Sequence, residues 1–164
     1  MIFLGIDPGR KGGLVAVDSR GRCLSALRMP LTRGSKGDID WPAVRSWLDR
    51  LPAFAAVVEE ASIRPKESGR SGLTIGRNWG RLAEAVESRA EAAAVLTPQQ
   101  WRGECSLPRR PAKDSDKRKD DAIRLADTVP GLDMRTGISG RATKPHDGLA
   151  DAACMALAAK ARWS

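Results

Sequence analysis

The chain of 164 residues and 17.7 kDa has the length of one domain, residues 1–164, and is large enough to bury a core. No apolar run reaches the roughly 18 residues of a membrane span, and the apolar N-terminus lacks the basic segment of a signal peptide, so we expect no membrane partner. The 28 Lys and Arg residues outnumber the 20 Asp and Glu residues, and the resulting net charge of +8 favours a nucleic acid as partner.

The first half of the chain reads as strands followed by a helix. Three short apolar segments are separated by tight turns, which predicts an antiparallel meander of strands over 1–8, 12–18 and 22–29. A helix over 41–51 follows, with Asp38 or Asp40 as its cap and Pro42 in its first turn. A fourth strand is predicted over 54–60, and a basic loop over 61–72.

The second half alternates helices with one more strand. The predicted elements are a helix over 73–92, a strand over 93–98, a short helix over 98–102 capped by Thr97, a helix over 117–128 and a helix over 147–162. The last helix is apolar nearly all round, so we expect it to be buried against the sheet. The order predicts an α/β fold with a mixed sheet, antiparallel first and parallel afterwards, flanked by helices.

Four acidic residues stand out because they lie in apolar sequence, where a carboxylate is costly to bury without a partner or a metal. Asp7 closes the first strand and Glu59 the fourth. Asp151 lies within the most apolar helix, and Asp147 precedes it by four residues, so both lie on one helix face. Hard oxygen ligands of this kind favour Mg²⁺ or Mn²⁺ over zinc.

These acids also have purely structural interpretations. Asp7 could serve the Pro-Gly turn, Glu59 or Glu60 could be a solvated strand end, and Asp147 could cap the last helix. Asp151 is harder to explain in this way, because Asp is a poor helix former and its neighbours are apolar. His146 is interpreted as a residue of the helix start rather than a ligand.

Cysteine and histidine content argues against a zinc site and a disulfide framework. The three cysteines are far apart in the sequence, and there is only one histidine. Their spacing fits a reducing, cytoplasmic setting.

Basic residues concentrate in two stretches that read partly as loops, which suits contacts with phosphate. One stretch spans 101–120 and the other spans 64–81. From the second stretch we predict DNA-binding residues, namely Arg64, Lys66, Arg70, Arg77 and Arg81. Trp79 lies among them and is either a core residue, which is the favoured interpretation, or a residue that stacks on a base.

Several segments together resemble the RuvC-type Holliday-junction resolvases, most evidently the short phage-borne branch of that family. In chain order they are GIDPG (5–9), VVEEASIRP (57–65), GRNWGRLAEAV (76–86), the helix from Lys117 and HDGLADAACMALA (146–158). GIDPG alone is unspecific, since ATP-binding folds begin similarly, but the combination spans nearly the whole chain. An actin-like ATPase would need a second such domain.

The resemblance implies an RNase H-like fold, a homodimer and four catalytic acids that bind two divalent ions. Its first, second and last acids fall on Asp7, Glu59 and Asp151. Many members carry the third acid three residues before the last, which is Gly148 here, so Asp147 or His146 must take that part, and charge favours Asp147.

The resemblance also implies contacts with DNA. A basic residue at the start of the penultimate helix contacts the scissile phosphate in the family, and Lys117 is the best match, with Lys119 next. Ile63, just beyond Glu59, corresponds to an apolar wedge at the branch point.

The function so implied is that of a structure-selective endonuclease that resolves four-way DNA junctions. Two Mg²⁺ ions roughly 3.5–4 Å apart, for which Mn²⁺ can substitute, would support hydrolysis that leaves a 5′-phosphate and a 3′-hydroxyl. We expect symmetric nicks by a homodimer in the cytoplasm, that of the host if a phage encodes the protein. Two alternatives remain: another RNase H-like nuclease, acting on flaps, forks or hybrids, and a non-catalytic junction-binding protein.

Overall fold

The computed structural model describes residues 1–33, 38–61, 69–135 and 144–164, without the side chains of Arg70 and Ala112. The strands in these ranges are β1 (Ile2–Asp7), β2 (Gly13–Val17), β3 (Cys23–Arg28), β4 (Phe54–Glu59) and β5 (Ala92–Leu96). The α-helices are α1 (Trp41–Asp49), α2 (Gly69–Glu87), α3 (Pro98–Glu104), α4 (Ser115–Ala126) and α5 (Asp147–Trp163). A 3₁₀ turn, Ala112–Asp114, leads into α4.

The strands form one mixed sheet in the order β3-β2-β1-β4-β5. β1 pairs antiparallel with β2, and β2 with β3, whereas β1 pairs in parallel with β4, and β4 with β5. The predicted architecture, an antiparallel meander followed by parallel strands, is therefore confirmed. β1 lies at the centre, with its side chains alternating between the two faces of the sheet.

Helices cover both faces of the sheet. On one face α5 crosses β1, β2 and β4, and α3 and α4 pack beside it around a core that includes Phe3, Val57 and Met155. On the other face side chains of α1 and α2, such as Trp47 and Leu82, pack against Leu4 and its neighbours. The last helix is thus buried against the sheet, as its apolar sequence predicts. No helix in the described ranges is long and apolar enough to cross a bilayer.

Caps fix where three of the helices begin. Asp40, rather than Asp38, caps α1 by accepting the Ala43 N–H at 3.2 Å, and Thr97 forms a capping box with Gln100 on α3. Nδ1 of His146 accepts the Leu149 N–H at 3.2 Å and so caps α5. His146 is therefore the N-cap residue of α5, in agreement with its interpretation as part of the helix start. Asp147, the alternative cap, is the first residue of the helix.

The predicted boundaries of α2 are wrong. The helix runs over Gly69–Glu87 rather than 73–92, so it begins inside the stretch predicted as a loop and ends earlier. Its end is set by β5, because Ala92 already pairs with Ala55 and the chain needs the intervening residues to turn. Gly69 and Gly72 have poor helix propensity, but each residue added to an existing helix gains a hydrogen bond, and this extends α2 back to them.

Glycines let α5 touch β1 backbone to backbone. A Cβ at Gly5 would overlap the carbonyl oxygen of Ala152 and the backbone nitrogen of Ala156. A Cβ at Gly148 would likewise overlap the carbonyl oxygen of Lys11 in the turn after β1. No rotamer change relieves such contacts, because the opposing atoms belong to the main chain. The position of α5 against the centre of the sheet therefore depends on glycine at both places.

This packing predicts that Gly5→Ala lowers the free energy of unfolding by at least about 2 kcal/mol, because α5 or β1 must shift. Gly80→Ala is the matched control, since a Cβ at this helical position meets nothing within 4 Å. That variant should gain about 0.5–1 kcal/mol from helix propensity. Urea unfolding followed by circular dichroism measures both, and equal effects of the two substitutions would contradict the packing argument.

Candidate metal and nucleic-acid site

Three of the predicted acids come together at one edge of the sheet. Asp7 and Glu59 are the last residues of the parallel neighbours β1 and β4, and they follow directly on the paired residues Ile6 and Val58. The two carboxylates thus leave adjacent strands at the same end. The close contact of α5 with Gly5 places Asp151, one residue before Ala152, beside them.

Burial raises the pKa of all three carboxyl groups, and repulsion adds to this effect for Glu59 and Asp151. Burial is the larger cause, and it raises the pKa of Asp7 and carries those of Glu59 and Asp151 to about 7. The negative charge of Asp7 is the next cause for both Glu59 and Asp151. Asp7 therefore lies at the electrostatic centre of the group.

Two tryptophans hold Glu59 in place. The indole N–H of Trp101, on α3, donates to Oε2 of Glu59 at 2.8 Å, and that of Trp79, on α2, donates to its carbonyl oxygen at 3.0 Å. One carboxylate oxygen is thereby anchored, and Oε1 is the oxygen that remains for another partner. Trp79 is half-buried and engaged with Glu59 in this way.

Asp147 lies at the rim of the group rather than within it. Its side chain is 47% exposed, and Oδ2 is 3.1 Å from Nζ of Lys119. It nevertheless contributes to the raised pKa of Asp151, one turn further along α5. Position 148, where the resemblance would place the third acid, lies against the backbone of Lys11 and has no room for a side chain.

Basic side chains of α4 approach the carboxylates to different degrees. Lys117, the preferred phosphate ligand from the sequence, is 65% exposed and lies 4.0 Å from Asp114, whereas Lys119 pairs with Asp147. Arg118, which the sequence analysis did not select, lowers the pKa of both Glu59 and Asp151 by its charge. Arg102 on α3 does the same for Asp151.

Sequence reasoning missed Trp101, Arg102 and Arg118. The two arginines belong to the basic stretch 101–120, but the sequence alone does not show in which direction each side chain points from its helix. A signal for Trp101 was available, because α3 begins directly after β5, whose end lies at the same sheet edge as Glu59.

The structure describes the side chains of only some of the predicted DNA-binding residues. Arg77 pairs with Asp38 at 3.0 Å, and Arg81 lies beside it, where the two line a hollow of about 290 Å³ between α2 and the start of α1. Arg70 lies in the first turn of α2, and its side chain is outside the described residues. Ile63, Arg64 and Lys66 also lie outside the described residues.

The donor chemistry of the group fits a divalent cation. Carboxylate oxygens are the ligands that Mg²⁺ and Mn²⁺ prefer, and a cation would offset the repulsion that helps to raise the pKa values of Glu59 and Asp151. The carboxylates stand apart, however: among the described residues, no three acidic, histidine or cysteine side chains are close enough together to hold an ion as they stand. Binding an ion would draw them together.

Comparisons with known proteins agree with the predicted fold. No family model and no curated protein matches the sequence. The structure of T. thermophilus RuvC in complex with a Holliday junction substrate has a TM-score of 0.63 and 20% identity, covering 96% of this chain and 92% of that chain. A Thermus thermophilus RuvC structure gives a TM-score of 0.58 and 24% identity with the same coverage. The fold of this chain is thus the RNase H-like fold of these RuvC structures.

The raised pKa values predict how the stability of the metal-free protein depends on pH. The pKa of Asp151 is about 7 in the folded state against 3.8 for an ordinary aspartate, so the fold loses stability as pH rises between these values. Asp151→Asn should therefore raise the free energy of unfolding by roughly 1–3 kcal/mol at pH 8, with most of the gain gone at pH 4.

Urea unfolding in EDTA at the two pH values measures this difference. Asp127→Asn, at an exposed aspartate just after α4, is the control and should change the free energy of unfolding by less than about 0.5 kcal/mol at either pH. A loss of stability in Asp151→Asn at pH 8 would show that the carboxylate stabilises the fold, contrary to the prediction.

Proposed function

We propose that this protein is a metal-dependent endonuclease of the RuvC type that resolves four-way DNA junctions. The observation that carries the proposal is the group of three half-buried carboxylates, Asp7, Glu59 and Asp151, whose pKa values are raised. They lie at the end of the central strands in a fold shared with RuvC, and one of the similar structures holds a Holliday junction substrate.

The carboxylates bind the cation, and the surrounding residues set their geometry. Trp101 fixes one oxygen of Glu59 and leaves Oε1 to face the site, while the Gly9 N–H donates to Oδ1 of Asp7 at 2.9 Å. RuvC-like nucleases use divalent metal ions, and a bound ion would neutralise the carboxylates, polarise the phosphodiester and lower the pKa of water. Mg²⁺ fits this donor set, with Mn²⁺ as a substitute and two ions for each site.

Basic residues beside the carboxylates bind the phosphate. Lys119 pairs with Asp147 at the rim and can turn from that exposed pair towards an incoming phosphate. Arg118 acts on Glu59 and Asp151 from α4, so a phosphate between these groups meets negative and positive charge on opposite sides. This arrangement orients the phosphate, as hydrolysis to a 5′-phosphate and a 3′-hydroxyl requires. Lys117 is the alternative ligand from the same helix.

The proposal includes a homodimer. Resolution of a four-way junction into two duplexes needs a nick in each of two strands, and the described part of this chain provides one such group of carboxylates. Leu73 on α2 is 77% exposed, and a contact between two copies at this helix would remove its apolar side chain from water.

The first prediction of this proposal concerns the metal ligands. Asp7→Asn should reduce cleavage of a mobile four-way junction in Mg²⁺ by more than about 100-fold, because it removes the central carboxylate. Junction affinity in EDTA should stay the same or increase, since one negative charge near the phosphate is lost. Asp127→Asn should retain both activities.

A substrate panel separates the rival functions. The wild-type protein should nick four-way junctions at symmetric positions in preference to flaps, replication forks, RNA–DNA hybrids and linear duplex. Preference for another substrate would identify a different RNase H-like nuclease. Junction binding without cleavage in either Mg²⁺ or Mn²⁺ would identify a non-catalytic binding protein.

The second prediction concerns the third acid. Asp147→Asn should reduce Mg²⁺-dependent cleavage by at least tenfold, because Asp147 shares a helix face with Asp151. His146→Ala should retain most activity and instead lose about 1 kcal/mol of stability, because Nδ1 caps α5. The reverse order of the two activities would make His146 the ligand.

A further inference from the structure

A cavity rich in arginine opens between α3, the segment after it and α4. It has a volume of about 220 Å³, and Gln99, Arg102, Arg109, Arg110 and Arg118 are among its lining residues. None of the described residues that line it is acidic. We refer to it as the arginine cavity. Its size suits a small anionic group better than a whole nucleotide, since pockets for larger ligands usually exceed about 300 Å³.

Arg102 is the residue of the arginine cavity that most clearly indicates a bound ligand. The residue is 7% exposed, and in the described part of the chain its buried Nη2 atom has no hydrogen-bond partner. Its guanidinium group lies over the Trp101 ring, 5.4 Å from the centroid, which provides packing but accepts no hydrogen bond in the plane of the group. A buried guanidinium donor without an acceptor is rare unless a ligand supplies one.

The nearby carboxylate of Asp121 does not accept a hydrogen bond from Nη2 of Arg102. Oδ2 of Asp121 is 3.9 Å from Nη2 of Arg102, beyond hydrogen-bond distance. Asp121 instead accepts two bonds from Arg110, from Nε and from Nη2, and one at 2.6 Å from Arg124. Asp114 and Asp120 also act on Arg110 by their charge. Among the arginines of the cavity, Arg110 is therefore the one that Asp121 neutralises most fully, whereas Arg102 reaches the same carboxylate only at ion-pair distance.

The arginine cavity lies next to the three half-buried carboxylates of Asp7, Glu59 and Asp151. Arg102 follows Trp101, whose indole nitrogen is bonded to Glu59 at 2.8 Å. Arg118 lines the cavity and also acts on Glu59 and Asp151. A strand whose phosphate lies between the carboxylates and α4 would therefore bring a neighbouring phosphate of the same strand to the cavity.

We propose that the arginine cavity binds a backbone phosphate of the cleaved DNA strand that flanks the scissile phosphate, with Arg102 as its buried donor and Arg109 and Arg118 at its mouth. This inference rests on the proposed function for the identity of the ligand as DNA. The chemistry it uses, a guanidinium fork on phosphate oxygens, is specific for phosphate and indifferent to base sequence. The subsite thus fixes the register of the strand without reading its bases.

Binding of modified junctions tests the assignment. The probe is a four-way junction that carries one methylphosphonate, which is uncharged, at successive positions on either side of the cut, with affinity measured in EDTA. Arg118→Gln should weaken binding of the unmodified junction about tenfold and reduce the salt slope by about 0.9. One methylphosphonate position should weaken wild-type binding similarly but have little further effect in Arg118→Gln, because both changes remove the same contact.

Further variants keep the test decisive. Arg102→Gln should likewise remove most of the further effect of that methylphosphonate. Arg109→Gln, at an exposed residue, takes its place in the test if the substitution of the buried Arg102 prevents folding. Arg45→Gln is the matched control, because Arg45 is exposed on α1 at the opposite face of the sheet. The effects of Arg45→Gln and of each methylphosphonate on the dissociation constant should multiply, as they do for independent contacts.

Inorganic phosphate separates the possible sources of the ligand. Thermal stabilisation of wild type by phosphate that is lost in Arg118→Gln, without coupling to any DNA position, would assign the cavity to a free phosphate ion and overturn its role in DNA binding. Absence of both effects would overturn the anion site itself. If the protein bound no branched DNA, the proposed function would fail together with the assignment to DNA, while the phosphate measurement would still decide whether the cavity binds an anion.

Discussion

The contact between α5 and β1 is the constraint on which the candidate site depends. Gly5 and Gly148 lack the Cβ atoms that would hold the helix away from the sheet, so the two main chains touch. This contact brings Asp151 into the same buried region as Asp7 and Glu59, although it lies on a helix and they lie on strands. The geometry of the candidate site and the packing of the core are therefore set by the same two residues, and a larger side chain at either position would displace a carboxylate.

Bringing these carboxylates together opposes folding. Burial and repulsion from Asp7 raise the pKa values of Glu59 and Asp151 to about 7, so at neutral pH the metal-free fold is destabilised by groups that it must keep. The fold is stabilised instead by the apolar side chains that pack on the two faces of the sheet. Trp101 contributes both to this packing and to the candidate site. Its ring fills the core at 2% exposure, and its N–H holds Glu59.

Much of this arrangement follows from the sequence, because strand order and burial leave periodic patterns. The meander, the parallel β4 and β5 and the buried last helix were predicted, and acids in apolar sequence identified Asp7, Glu59 and Asp151. The direction of single side chains was not predictable. Lys117, Arg118 and Lys119 are consecutive, yet Lys117 lies near Asp114 and Lys119 pairs with Asp147. Arg118 instead acts by its charge on Glu59 and Asp151, because successive residues of a helix point about 100° apart. Which of them meets the carboxylates depends on how α4 packs against α5, which no local pattern encodes.

Asp121 and Asp151 show why burial alone does not mark a functional acid. Both lie within helices and are largely removed from solvent, but hydrogen bonds from Arg110 and Arg124 lower the pKa of Asp121 to about 2, whereas that of Asp151 is raised to about 7. The partners of Asp121 come from the segment before α4 and from one turn further along α4, and one of them, Arg110, lines the arginine cavity. Asp151 is influenced by the charges of Arg102 and Arg118, but burial and repulsion from Asp7 outweigh them. The residues around a carboxylate, rather than its depth, thus separate an acid that organises structure from one that is a candidate ligand for a cation.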